Sequence, residues 1–581
     1  MQLSAKRLIF LSAAKKEKGV KVRNMKNYEF YLAGSLEKVF WNRMPQVMEE
    51  GEKITILQGE VPALQLVYRG EPTPQEGPKP ELTCEVKGFP AAVRLRDVEP
   101  VPSAFPVNGE VDDNYLSREP GMFPDLLKPK RENKIVPIFC QYRSVWIDFP
   151  DTREVSAGVY PMEILISSGE NISIEEEAVT LHFSLEVLDC KLPHQELIHT
   201  QWFHADCLAD FYHTQVFGDF HWEVIEEQIK LAGELGINML LTPVFTPPLD
   251  TEVGGERTTV QLVDIALQEG EWTFGFDKLE KWCGICQKYG IEYIEVPHLF
   301  TQWGAKATPK ILVEKEGRME KMFGWHVKAD DPSYRSFLKS FLPALQKELL
   351  SLGFTKEQIY FHISDEPSAE HLESYQAAKA AASDLLEGWL VIDALSDFDF
   401  YEKGLVERPV PANNHIQPFA DHQVPDLWTY YCCSQKYQVP NRFFSMPSAR
   451  NRIMGVLMYL YHIRGFLHWG YNFYNSVLSK EHINPFLDTH ANYAFPSGDS
   501  FLVYPGIEGK PWSSIRGEVQ RQGIDDMRAL EALEALAGRE AVEELIYEGQ
   551  DKPFTFTSYP KEASYLYELR RKIGEKMKEY L

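Results

Sequence analysis

Apolar residues recur along the chain with two different periods, and the change falls near Leu192. Over residues 27–192 they return at every second position in short runs. These are KITILQ from Lys53, ALQLVYR from Ala63, RSVWIDF from Arg143, MEILISS from Met162 and AVTLHFSLEVLDC from Ala178. Period two is the mark of a strand with one buried face, and the Pro-, Gly- and Asp-rich breaks between the runs read as turns. The stretch VWIDFPDTREVSAGVYPMEILI, with Trp146, Gly158 and Tyr160, predicts a strand, a tight crossing and a further strand of a β-sandwich. Residues 101–133, dense in proline, glycine and charge, are expected to form a long surface loop.

Beyond Leu192 short apolar runs alternate with helical patterns, which predicts a parallel α/β architecture. The strand candidates are LIHTQWF from Leu197, INMLLTPVF from Ile237, IEYIEVPHLF from Ile291, QIYFHIS from Gln358, WLVIDALS from Trp389, DLWTYYCC from Asp426 and GFLHWGYN from Gly465. PANNHIQPF from Pro411 is a weaker eighth. Helices are predicted between them, as over residues 222–236 and 334–353. Eight strands over roughly 280 residues fit a (β/α)8 barrel. An open doubly wound sheet fits less well, because no Gly-rich phosphate turn follows the first strand. The fold class is thus multidomain, all-β followed by α/β. It divides into a leader over 1–26, a β-sandwich over 27–192, a barrel over 193–523 and a helical C-terminal segment over 524–581.

Composition narrows the function classes. With 60 basic against 85 acidic residues the net charge is −25. A field of that sign repels phosphates and disfavours nucleic acid or an anionic lipid surface as partner. The leader holds only RLIFL as an apolar stretch, too short for a signal-peptide core or a membrane span, so cytoplasmic residence is expected, with secretion as the alternative. Eight cysteines in 581 residues make no disulfide scaffold. WCGIC, with Cys283 and Cys286, looks like a redox motif but sits in FDKLEKWCGICQKYG, an amphipathic helix ended by Gly290. Neither it nor Cys432-Cys433 has a partner at zinc spacing, and no metal or cofactor is expected.

In a barrel, functional groups project from the C-terminal ends of the strands. Those ends carry Trp202, His204 and Asp206; Asp250; His298 and Trp303; Asp365 and Glu366; Trp428 and Tyr430; and His468, Trp469, Tyr471 and Asn472. Acids for bond cleavage beside flat rings for stacking on sugar C–H groups describe a carbohydrate site. The adjacent pair Asp365-Glu366 is the sharpest signal. Pro367 favours an extended residue before it. Two like charges so close raise one pKa, and a glycosidase needs one protonated acid near neutral pH. The plain alternative is an acidic helix cap, since DEPSAEHLE is also a fair helix start. Direct retaining and inverting schemes place two carboxyls across the sugar, usually from different strands. Neighbouring residues suit a substrate-assisted variant better, in which the sugar's 2-acetamido oxygen attacks the anomeric carbon.

Taken together, IYFHISDEP, WTYYCC, NRFFSMP, GFLHWGYNFY, GDSFLVYPG and SSIRGEVQRQGIDDMRAL resemble the catalytic domain of glycoside hydrolase family 123, and the VWIDF…AGVYP element extends the resemblance to nearly the whole chain. That family includes β-N-acetylgalactosaminidases. The resemblance implies a sandwich followed by a (β/α)8 barrel and a retaining, substrate-assisted, metal-free mechanism. It implies that Asp365 orients the acetamido group, that Glu366 is the general acid/base, and that Trp202, Tyr430, Trp469 and Tyr471 fall where the sugar pocket is built. The substrate-binding set expected here is Trp202, His204, Trp303, Tyr430, Trp469, Tyr471 and Asn472, with a glycan or glycoconjugate as partner.

Other residues carry plainer readings. His298 and His468 are expected to be satisfied structural groups, with function favoured only for His204 beside Trp202 and Asp206. Arg442 and Arg516 are expected to lock loops, Glu295 to stand behind the site, and Asp499 to shape a turn. Two alternatives stay open: a glycosidase for a sugar without the acetamido group, using Glu295 or Asp393 as partner carboxylate, and a carbohydrate-binding protein without hydrolysis.

Overall fold

The computed structural model describes residues 23–25, 28–70, 81–168, 178–366 and 371–581. Most of the leader, and Pro367 with it, lies outside the described residues. Arg23–Met25 forms a short strand, paired antiparallel with Tyr28–Gly34.

The alternating runs form two sheets, one of seven strands and one of five. Their facing sides share a core that includes Phe30, Leu66 and Val145 from the larger sheet and Ile56, Ile164 and Leu185 from the smaller. The crossing predicted after VWIDF is present, with Tyr142–Asp148 in the larger sheet and Gly158–Ser168 in the smaller. The larger sheet is buried on its far side too, where Val98, Leu127 and Trp146 pack with Ile515 and Val519.

The long loop expected over 101–133 is shorter. Arg94–Ser103 and Gly121–Pro129 pair antiparallel across a shift between Glu99 and Pro100. Prolines there led the sequence reading astray. A register irregularity tolerates them in a ladder.

All eight barrel strands are present: β1 Ile198–Gln201, β2 Met239–Leu241, β3 Tyr293–Glu295, β4 Ile359–Phe361, β5 Leu390–Ala394, β6 Arg408–Val410, β7 Trp428–Tyr430 and β8 Gly465–His468. Every neighbouring pair is parallel, and chain order is barrel order. Between β6 and β7 the sheet is joined by a bridge, Tyr430 N–H to Pro411 O at 3.1 Å and Asn413 N–H to Tyr430 O at 2.8 Å. The weak eighth strand thus lies just upstream of where the pattern put it. PANN supplies the bridge, and HIQPF turns into the helix Gln417–Asp421. Ile198, Met239, Leu241, Tyr360, Ile392, Trp428 and Leu467 fill the interior.

A four-stranded sheet made from Asp264–Gln268, Glu271–Gly275, Ile311–Lys315 and Arg318–Phe323 interrupts the loops after β2 and β3; no expectation covered it. The C-terminal segment is helical but begins earlier than residue 524. Helix Ile515–Ala537, capped by Ser514 Oγ on the Gly517 N–H, runs through the 523/524 boundary. It crosses helix Met454–Leu460 closely, for a Cβ on Gly455 would stand 1.7 Å from Gly523 O. Among the described residues no helix is long and apolar enough to cross a membrane.

Candidate active site

The mouth of the barrel opens on a cavity of about 680 Å3. Asp365 and Glu366 both line it, four and five residues beyond the end of β4. An extended chain would send these neighbours to opposite faces. Glu366 instead adopts a left-handed backbone, φ 43°, contrary to the extended conformation expected before Pro367. The kink breaks the alternation and lets both carboxyls meet one space. Positive-φ residues cluster around it, with Asp250 at 39° and Trp303 at 53°; strain of this kind collects at functional sites and persists because the surroundings hold it. The Trp303 N–H donates to Asp365 O at 3.2 Å.

The two carboxyls differ in environment. Burial pushes the Asp365 pKa well above the carboxylate range, and the negative charges of Glu366, Asp393 and Asp250 add to the shift while His362 opposes it. Glu366 is the more exposed, and the Tyr430 hydroxyl donates to its Oε1 at 2.6 Å.

Beneath Asp365, His362 points into the barrel between two acids. Its Nε2 lies 2.6 Å from Glu295 Oε1 and its Nδ1 3.7 Å from Asp393 Oδ1. Burial by itself lowers the pKa of His362, but the two carboxylates outweigh it and raise the group to about 9. Glu295 also accepts from Trp202 Nε1 at 2.8 Å and from the Thr200 hydroxyl. Asp393 accepts from Ile363 N–H at 2.9 Å and from the Tyr375 hydroxyl at 2.5 Å. Both acids are fully buried outside the cavity lining, so neither serves as the partner carboxylate of the alternative scheme. His298 stacks on His362 with ring centroids 4.2 Å apart.

Of the expected binding residues, Trp202, His204, Trp303, Tyr430 and Trp469 line the cavity. Trp303 is 43% exposed, leaving a ring face free for a sugar. Trp469 is held from behind, its Nε1 donating to Asp499 Oδ2 at 2.9 Å. His204 has no ring nitrogen left for a ligand. Its Nδ1 accepts from Arg257 at 2.9 Å and its Nε2 donates to Trp469 O at 3.0 Å. Burial and the Arg257 charge hold it neutral, with a pKa near 3. Tyr471 and Asn472 stand outside the cavity. Tyr471 is fully buried and donates to Gln228 O at 2.8 Å, while Asn472 Oδ1 accepts the His204 N–H at 2.7 Å. They follow Trp469 at the end of β8 but turn back into the fold, which a strand-end rule does not foresee.

The structure adds residues that sequence reasoning left out of the binding set. Asp250, Gln302, Cys432, Cys433 and Phe495 share the cavity. Asp250 was visible as a strand-end acid and was passed over; for Gln302 no sequence signal existed. Arg442 and Arg516 lock the fold as expected, Arg442 on Gln201 Oε1 at 2.7 Å and Arg516 on Asp125. Among the described residues no cluster of three or more His, Cys, Asp or Glu side chains is arranged to hold a metal ion.

The comparisons agree with this geometry. Residues 202–533 match the model of the glycoside hydrolase 123 catalytic domain, more than half of the chain. A family 123 glycoside hydrolase from Clostridium perfringens, whose structure details glycolipid glycan hydrolysis, superposes with a TM-score of 0.69 at 15% identity, covering 95% of this chain and 97% of that one. The Clostridium thermocellum xylanase 10B has a TM-score of 0.29 at 8% identity over 87% of this chain and 95% of that one. The Bifidobacterium dentium β-glucuronidase has a TM-score of 0.30 at 9% identity over 86% and 67%. No curated protein sequence matches the chain. With the family model spanning the barrel and the catalytic cavity at its mouth, the chain belongs to glycoside hydrolase family 123 and is a glycoside hydrolase.

Proposed function

We propose that the protein is an exo-acting β-N-acetylgalactosaminidase that works with retention through a substrate-assisted oxazoline. The observation that carries this is the pair Asp365 and Glu366 opening side by side on one cavity. Neighbouring residues are poorly placed to flank a sugar ring as acid and nucleophile. They are well placed to serve C1 and the C2 substituent of the same ring. Glu366 protonates the glycosidic oxygen as the C1–O bond breaks, and the acetamido oxygen of the substrate closes on C1. Asp365 accepts from the amide N–H and balances the charge of the ring that forms. Its raised proton affinity suits a group that shares that proton. Glu366 then takes a proton from water, which opens the oxazoline with net retention.

The test uses p-nitrophenyl β-N-acetylgalactosaminide. Glu366→Gln and Asp365→Asn each reduce kcat by roughly 100-fold or more, the scale of a positioned acid–base group, and the thiazoline analogue of the intermediate inhibits the wild type. Full activity in Asp365→Asn ends the substrate-assisted mechanism. Faster release from an aryl sugar lacking the acetamido group replaces the substrate and keeps the fold.

A further inference from the structure

We propose that Asp250 and Gln302 form a hydroxyl-reading pair that decides which sugar the catalytic cavity accepts; the inference rests on the glycosidase reading above. Asp250 lies in the loop after β2 and Gln302 in the loop after β3, so they stand next to the acid pair of β4 around the barrel mouth.

The geometry leaves one acceptor and one donor unspent. Gln302 Oε1 accepts the Asp250 backbone N–H at 2.5 Å, which fixes the orientation of the amide. Its Nε2 is therefore an N–H2 donor, and it is buried with no partner among the described residues. Such groups are rare in folded proteins because burial strips their water without replacing it. On the other side, Asp250 Oδ2 accepts the Leu478 N–H at 3.0 Å, and the Asp250 carbonyl accepts from Ser479 Oγ at 2.7 Å. The second carboxylate oxygen has no hydrogen bond among the described residues. No cation neutralises it. The nearby Arg257 is committed to Asp206, at 2.8 and 2.7 Å, and to His204. The loop is held in place from both ends, and its polar atoms are aimed at nothing in the protein.

A sugar hydroxyl satisfies both vacancies together, donating to the carboxylate and accepting from the amide. A phosphate or carboxylate is repelled by Asp250, and a cation is repelled by the Nε2 donor. With C1 and the C2 substituent at Glu366 and Asp365, the hydroxyls left for this pair are those at C3, C4 and C6. The pair thus requires one of these to be free, which restricts the cavity to a terminal sugar and sets its epimer preference.

The experiment is a cycle between enzyme variants and deoxy substrates. Aryl β-N-acetylgalactosaminides lacking the 3-, 4- or 6-hydroxyl, and the gluco epimer, are compared on the wild type, Asp250→Asn and Gln302→Glu. The second variant keeps an oxygen for the Asp250 N–H while replacing the donor with an acceptor. In the wild type, one deoxygenation lowers kcat/KM by about 100-fold or more, because it strands buried polar groups. In both variants the parent substrate falls to the level of that deoxy compound, mainly through KM, and the deoxy compound itself changes less than about twofold. Unchanged melting temperatures exclude a folding effect. Equal losses on parent and deoxy substrates overturn the proposal. A collapse of kcat with KM intact in Asp250→Asn also overturns it, making Asp250 a participant in bond cleavage. If N-acetylhexosaminides are not hydrolysed at all, the substrate assignment fails separately, and the same cycle on the glycoside that is hydrolysed still decides the role of the pair.

Discussion

The hydroxyl of Tyr430, at the end of β7, donates to Glu366 Oε1 at 2.6 Å, spanning the cavity from one strand end to another. Glu366 is exposed and sits on a left-handed backbone, so this bond is what fixes the carboxyl against the glycosidic oxygen. Tyr430→Phe removes it while keeping the ring. The expected outcome is a fall in kcat of roughly tenfold, the scale of one charge-assisted hydrogen bond, with KM changed little. Steady-state kinetics on an aryl glycoside checks this, and an unchanged kcat shows that Glu366 is positioned by other means.

His362 is the positive charge that opposes the rise in the Asp365 pKa. The groups facing it are Glu295, Asp393 and the stacked His298, with Trp202 at its edge. A neutral His362→Gln removes a cation near a carboxyl, and the Asp365 pKa rises further. Activity that needs the Asp365 anion is then lost at a higher pH on acidification, and the acid limb of the kcat/KM profile moves upward. The same residue marks stability. Its folded pKa of about 9 exceeds the ordinary value of 6.5, so its contribution is complete below 6.5 and is lost as pH rises through 9. Denaturant titrations between pH 6 and 10 show this loss in the wild type and not in the variant.

The barrel was legible because each strand is a short apolar run followed by chemistry-bearing residues, and seven of eight runs contain the observed strand. Asp365 and Glu366 were legible for the same reason. What escaped was the direction a side chain takes after the strand ends. Tyr471 and Asn472 follow Trp469 by two and three residues, yet backbone bonds from Tyr471 N–H to Trp202 O and from Leu502 N–H to Tyr471 O fold that segment inward. Gln302 escaped for the opposite reason. Glutamine carries no periodic or charge signal, and its importance comes only from an N–H group that Asp250 presents from another loop.

Trp303 offers a complementary test. Its ring is 43% exposed on the cavity wall, so truncation removes little packing. Trp303→Ala is expected to raise KM by roughly tenfold through lost stacking, within the range of about 1–3 kcal/mol seen for aromatic stacking on a flat ligand. The melting temperature stays within about 2 °C, as for a surface substitution. A large fall in melting temperature with KM unchanged assigns the ring to the fold instead.

Arg516 and Asp125 join the barrel side of the molecule to the larger sheet. Nε and Nη2 each reach a different carboxylate oxygen at 2.9 Å, and both side chains are about 1% exposed. Asp125 sits on Gly121–Pro129 and Arg516 in the first turn of the helix after Ser514, so the pair closes a contact that no local sequence pattern announces. Removing one partner leaves an uncompensated buried charge, which costs about 3–5 kcal/mol. Asp125→Asn is therefore expected to destabilise the protein by that amount in a urea titration, with residual activity per folded molecule preserved because the catalytic cavity does not include either residue. The reverse change, Arg516→Met, strands the carboxylate and lowers stability by a similar amount. If both variants unfold at the wild-type midpoint, the sandwich and barrel are held together by their apolar contacts alone.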